Sequence, residues 1–293
     1  HDADLARAGM REALLGWLEL GNGAPLTAVP WLVRREGVHV EHGHVYDPDN
    51  APTHPLVAPS LTTEPLGVAL TRRFLAPNRA FDFAHATEIT PLHALKRAFD
   101  TFGMKMPLLL GRYFKEAGEF CTNARWRPEL LAEKRAGDVR MREAARDAGL
   151  DEATLRALDE DRPRPTHESF ERAFFRLYFD RVLAAAGAST GTALGILARS
   201  GSLFGLGALG ALYLWESTRR GTNRYEGLPV KRLRAAAERV RVLSRAELVI
   251  FGHTHVPESL PGYLNPGSFK YRAGPRPYAY VDETGRGERR TLD

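Results

Sequence analysis

The chain has 293 residues, 43% of them apolar, which suffices for one large domain or two modest ones with a buried core. Its formal charge of +5 and pI near 9.4 arise from acidic and basic residues that alternate along the chain, so no long basic tract points to DNA or RNA. The single Cys121 excludes an intramolecular disulfide, a Cys-rich zinc module and a CxxC redox pair.

No signal-peptide pattern and no uninterrupted apolar stretch of transmembrane length is expected. The opening His1-Asp2, without a Met, reads as a boundary and not as a natural start. Residues 3–20 have apolar positions at helical spacing and stop at Gly21, predicting a helix directly after His1-Asp2. Residues 28–33 and 38–41 read as two short strands around the turn Arg34-Arg35-Glu36-Gly37. His42-Gly43-His44 falls at the end of the second strand, followed by loop to Pro65.

Residues 67–228 are expected to form a helical cap inserted between core segments 1–66 and 229–293. Helical patterns over 67–116, 128–160 and 166–187 are interrupted at Pro77, Pro107, Pro128 and the run Arg162-Pro163-Arg164-Pro165. A strand, helix, strand connection needs far fewer residues than this. Within it, residues 184–215 are apolar and Gly-rich with Arg199 as their one charge, preceded by Phe170, Phe174, Phe175, Tyr178 and Phe179. Three readings stay open for this stretch: a buried pair of helices with small residues at the contact, an acyl-chain pocket or membrane-touching hairpin, or a bilayer span. The last would place Arg199 mid-span at a cost of several kcal/mol.

After Gly221 the pattern returns to α/β. Residues 229–245 predict a basic amphipathic helix with Pro229 in its first turn, and residues 248–251 a buried strand. Further strands are expected near 262–265 and 278–282, separated by Pro266-Gly267-Ser268, with a peripheral tail from Glu283.

The strand at 248–251 runs into Gly252-His253-Thr254-His255. Two imidazoles at i and i+2 suit first-row divalent metals, and the glycine admits close backbone approach. Ligands in open α/β sheets gather at the carboxyl ends of strands, so this pair and His42-Gly43-His44 are expected to converge. His54, His85, His93 and His167 have no ligand spacing and read as surface or cap residues. Asp47 and Asn50 read as holding the loop or touching substrate, and Asn265 and Ser268 as turn groups.

In order and placement these elements resemble the calcineurin-like metallophosphoesterases. Gly252-His253-Thr254-His255 matches their final Gly-His-x-His block, and His42-Gly43-His44 the preceding block. His1-Asp2 matches the last residues of Gly-Asn-His-Asp, while residues 263–268 are similar to the strand and Asn-x-Gly-Ser turn that often follow. The earlier Asp-x-His and Gly-Asp-x-x-Asp blocks would lie before His1. The resemblance implies an α/β fold, a four-layer α-β-β-α sandwich lacking its N-terminal motifs and carrying a large helical cap. It implies two divalent ions, manganese foremost with iron or zinc compatible. His42 and His253 would hold one ion and His255 the other. His1 would be a catalytic group facing the transferring phosphoryl, with Asp2 orienting its ring.

The implied activity is hydrolysis of a phosphomonoester, phosphodiester or lipid-linked diphosphate, with this chain alone expected to bind metal poorly and to be inactive. The apolar insert suits a lipid substrate like that of the UDP-diacylglucosamine diphosphatases, with peripheral contact at the inner face of the membrane and a cytoplasmic location. A soluble protein or nucleotide phosphatase, or a noncatalytic membrane-associated scaffold with a degraded phosphoesterase domain, are the alternatives. No specific nucleic-acid binding is expected.

Overall fold

A computed structural model describes residues 31–78, 96, 99–123, 128–219, 228–267 and 276–292 of a mixed α/β protein. The first strands are β1 (Leu32–Arg35) and β2 (Val38–Glu41), followed by a 3-10 turn at His44–Tyr46. Helices α1 (Leu66–Leu70), α2 (Met106–Asn123), α3 (Pro128–Asp147), α4 (Glu152–Glu160), α5 (Phe170–Arg176), α6 (Phe179–Leu197), α7 (Gly201–Arg219) and α8 (Leu228–Ser244) come next. The chain closes with β3 (Leu248–Phe251), β4 (Glu258–Leu260), β5 (Tyr263–Asn265), β6 (Arg276–Val281) and β7 (Gly287–Leu292).

Two compact units divide the chain. One takes residues 1–68, 126–165 and 229–293, the other 69–125 and 166–228. The stretch expected to be one insertion is therefore shared, because α3 and α4 pack with the sheet-bearing unit.

In that first unit a five-stranded mixed sheet has the order β1-β2-β3-β5-β4. β2, β3 and β5 run parallel, and β1 and β4 pair antiparallel at the two edges. The β1–β2 turn is shorter than expected: Arg34 and Arg35 pair with His39 and Val38, leaving only Glu36 and Gly37 to reverse the chain. Both have positive φ, 49° and 77°, the left-handed pair whose twist matches a two-residue hairpin. Residues 28–30 of the first expected strand lie outside the described residues.

β3 shows why the sheet is central. Its four residues are all buried, and alternation sends Val249 and Phe251 to one face and Leu248 and Ile250 to the other. On the first face α8 contributes Leu233, Ala236, Ala237 and Val240, an i, i+3, i+4, i+7 stripe. Met141 and Ala145 of α3 and Leu155 and Leu158 of α4 complete that core. Asp151 caps α4 by accepting from the Thr154 amide at 2.7 Å. On the second face Ala279 and Val281 of the β6–β7 hairpin pack against Val38, Leu248, Ile250 and Leu264. The tail expected to be peripheral is largely exposed but forms β7, a strand with three successive charged residues and no apolar stripe to announce it. β4, only three residues long, is likewise absent from the sequence reading.

In the second unit, aromatic residues at the start of α6 join neighbouring helices: Phe179 meets Phe174 at 5.7 Å and Phe114 at 5.9 Å between ring centroids. The apolar stretch then forms two packed helices, α6 and α7, turning at Arg199, whose φ is +47°. They meet through small residues, as expected: a Cβ built on Gly191 would stand 2.7 Å from the Gly207 nitrogen. The large side chains lie outside that contact, so the pair is not a buried one. Among the described residues, no helix is long and apolar enough to cross a membrane.

Candidate functional site

Parallel pairing of β2 with β3 aligns Glu41 with Phe251, so the chain leaves both strands at the same level and on the same sheet edge. Each exit carries histidines. The Gly252 amide donates to the His42 carbonyl at 3.1 Å, tying the two exits together. His42 and His253, separated by most of the chain, come within 5.3 Å between ring centroids, and His42 and His44 within 5.0 Å. The convergence expected from strand-end placement is the observed geometry.

Tight backbone makes this possible. Gly43 has φ +87°, and a Cβ there would lie 3.2 Å from the Phe251 side chain. No such freedom is available to His253 and His255, yet both are left-handed, with φ of +50° and +58°. Non-glycine residues held in that region are strained by about 1–3 kcal/mol each and persist only where surrounding contacts hold them. Here the Thr254 amide donates to the Gly252 carbonyl at 2.7 Å, a γ-turn centred on His253. Asn265, fully buried at the end of β5, donates from Nδ2 to the same carbonyl at 2.7 Å and to Thr254 Oγ1 at 3.0 Å. Its Oδ1 accepts from the Gly267 amide at 3.0 Å, so it serves as the expected turn group. Ser268 lies outside the described residues.

Asp47 is the residue whose role the sequence reading left open. It holds its loop, accepting from Asn50 Nδ2 at 2.7 Å and from the Asp49 amide at 3.1 Å. Its Oδ2 also lies 2.9 Å from His253 Nε2. Burial alone would raise its pKa; the hydrogen bonds from His253, Asn50 and the Asp49 amide prevail and hold it at about 2.

Burial, reinforced by neighbouring imidazoles, pushes His42 down to about 2. Burial first, then His253 and Arg162, brings His44 to about 3, against the opposing pull of Asp47. Both rings are therefore neutral at physiological pH, the state in which imidazole offers a lone pair to a metal. His255 is half-buried and within electrostatic reach of His42.

A second polar cluster lies in the strand itself. Alternation places His39 and Glu41 on the same face of β2, where His39 Nε2 lies 3.0 Å from Glu41 Oε1 and Trp31 Nε1 donates to Glu41 Oε2 at 2.9 Å. These groups are buried above a stack of Tyr46 on Phe251, 5.4 Å apart. Burial, then the Glu41 carboxylate, raises the Tyr46 hydroxyl well above its ordinary pKa. The i, i+2 spacing of His39 and Glu41 was a readable signal that two polar side chains face the same way.

Two histidines expected at the surface or in the cap are buried. His54 accepts the Leu56 amide on Nδ1 at 3.2 Å, and Gly137 of α3 is a glycine because a Cβ there would fall 2.0 Å from the His54 ring. His167 is fully buried in the second unit. His1, Asp2, His85 and His93 lie outside the described residues.

As a metal-binding set, His42, His253 and His255 with Asp47 nearby have the donor types of a borderline divalent ion. Among the described residues, however, no three His, Cys, Asp or Glu side chains are grouped to hold one by themselves. The described donors thus fit part of a coordination shell. Comparison of the chain with known protein families, characterised proteins and solved structures returns no match.

Proposed function

We propose that the two histidine turns are the imidazole half of a divalent-metal phosphoesterase centre, in a fold of the calcineurin-like α-β-β-α kind. The observation that supports it best is the meeting of His42 and His253 at 5.3 Å, across the ends of adjacent parallel strands. His42 and His253 would hold one ion and His255 a second, with manganese, iron or zinc all compatible with the donors. Further carboxylate donors are required beyond these histidines. When bound, such ions activate water and neutralise phosphoryl oxygens.

The chain's own residues do the positioning. Burial keeps the His42 and His44 rings neutral. Asn265 clamps the turn that carries His253 and Thr254, and Asp47 fixes the His253 ring through Nε2. His1, oriented by Asp2, is the proposed group facing the phosphoryl oxygen. The substrate class is a phosphomonoester, phosphodiester or lipid-linked diphosphate, acted on at the cytoplasmic face of the membrane.

A noncatalytic domain that keeps these turns as structure is the second reading. The hydrogen bond between Asp47 and His253 favours it, because it occupies a nitrogen that would otherwise face an ion. Equilibrium dialysis with Mn2+ and Zn2+ separates the two. The phosphoesterase reading expects binding that His42→Ala and His253→Ala each weaken by more than about tenfold, with unchanged circular dichroism. Equal binding by all three proteins favours the structural reading.

A further inference from the structure

The α6–α7 hairpin is built inside out for water. Its helices approach through glycines and alanines: a Cβ on Gly210 would stand 2.6 Å from the Ala184 carbonyl, and one on Gly195 2.6 Å from the Phe204 nitrogen. Small residues consume the contact, so the large ones are turned outward. Leu183, Ile196, Leu197, Phe204, Leu206 and Leu209 are each between 52% and 80% exposed. A water-soluble helix pair buries such side chains between its members. Close packing through small residues with large apolar side chains outside is the arrangement rewarded when the surroundings are themselves apolar.

The distribution of exposure says which surroundings. At about 100° per residue, Phe204, Leu212, Leu209 and Leu206 fan around roughly 200° of α7, and its remaining side faces α6. A protein partner covers one face, whereas this hairpin is apolar nearly all round. Lipid, acting as a solvent, covers every side at once.

A second observation sits at the base, where α6 begins and α7 ends. Tyr213 donates to Asp180 at 2.5 Å, the Arg181 guanidinium lies 4.8 Å from the Tyr178 ring centroid, and that of Arg219 lies 5.2 Å from Trp215. Tyr, Trp and Arg at one level form the belt typical of a membrane–water boundary. Among the described residues, 171–181 and 216–219 together carry four arginines against three carboxylates, whereas residues 182–215 carry one charge, Arg199 at the tip. An apolar shaft ending in a basic aromatic collar complements the acyl chains and anionic headgroups of a bilayer.

We infer that α6 and α7 form a re-entrant hairpin that inserts into an anionic lipid bilayer as far as the Tyr178, Tyr213 and Trp215 collar. Both helix ends at the collar remain on one side, in keeping with helices that do not cross. This inference rests on the second unit alone and stands whether or not the histidine site hydrolyses phosphate esters.

Vesicle flotation of the full chain tests it without any activity measurement. The chain is expected to float with phosphatidylcholine–phosphatidylglycerol vesicles, and less with phosphatidylcholine alone. Leu197→Glu with Leu209→Glu should abolish flotation at unchanged circular dichroism and melting temperature. A wild-type chain that stays at the bottom, or a double variant that floats equally, overturns the inference. So does a dimer in solution that the double variant dissolves while neither protein floats, since a second copy then covers the surface. Equal flotation on neutral and anionic vesicles overturns the role of the basic collar. Should the double variant misfold, an environment-sensitive fluorophore on Leu197→Cys, in a Cys121→Ser background, serves instead. It should shift to the blue on vesicles, whereas the same label on exposed Val139→Cys of α3 should not; identical responses overturn the insertion.

Discussion

The histidine turns and the helical hairpin both depend on glycine, and they use it in opposite ways. At the turns Gly43 lets the backbone pass close to Phe251 so that large rings can be turned inward, with Phe251 fully buried beneath imidazoles held neutral. In the hairpin Gly191, Gly195, Gly207 and Gly210 let helices meet so that large side chains can be turned outward. The first arrangement is stabilised by leaving water. The second has its apolar surface still in water, which makes its stability sensitive to what surrounds it. Small residues at a contact therefore do not by themselves say whether a segment is core; the destination of the large residues does.

The contrast can be broken at three points. The largest effect is expected from Phe251→Ala, which removes a ring lying between Tyr46 and Tyr263 under both histidine turns. Urea denaturation should show a loss of about 3–5 kcal/mol, well above any cost of polar substitution at exposed Leu209. Next is Gly191→Leu, whose side chain must enter a contact that leaves no room even for Cβ. A loss of about 1–3 kcal/mol in thermal or urea melts is expected; an unchanged melt would mean that the helices separate freely. The smallest is Asn265→Ala, which removes the second hydrogen bond to the Gly252 carbonyl and the bond to the Thr254 hydroxyl. It should cost about 1–2 kcal/mol by urea denaturation, and because it frees the strained His253 turn it should disturb that residue's NMR signals more than those of His54.

The polar–apolar pattern made much of this legible. Leu248–Phe251 followed by Gly and two histidines reads as a buried strand ending in a site because four consecutive buried residues need sheet on both sides. The close pair in residues 184–215 was legible from small residues at helical spacing. Other features carried no local signal. β7 has charged residues along both faces and pairs through its backbone, which no side-chain periodicity reports. His54 looks like an isolated loop histidine, and only the packing of Gly137 against its ring marks it as buried. Asp47 read as a loop residue, which it is; its bond to His253 spans 206 positions and depends on strand order.

Local chemistry alone thus determined which residues can end a strand, turn a helix or offer a lone pair, because these follow from side-chain shape and nearest neighbours. Only the tertiary structure decided that β2 and β3 are adjacent and parallel, that Asp47 and Asn265 hold the His253 turn from either side, and that the apolar hairpin faces outward. Those outcomes depend on which distant surfaces meet, and contacts across most of the chain have no counterpart in the spacing of neighbouring residues.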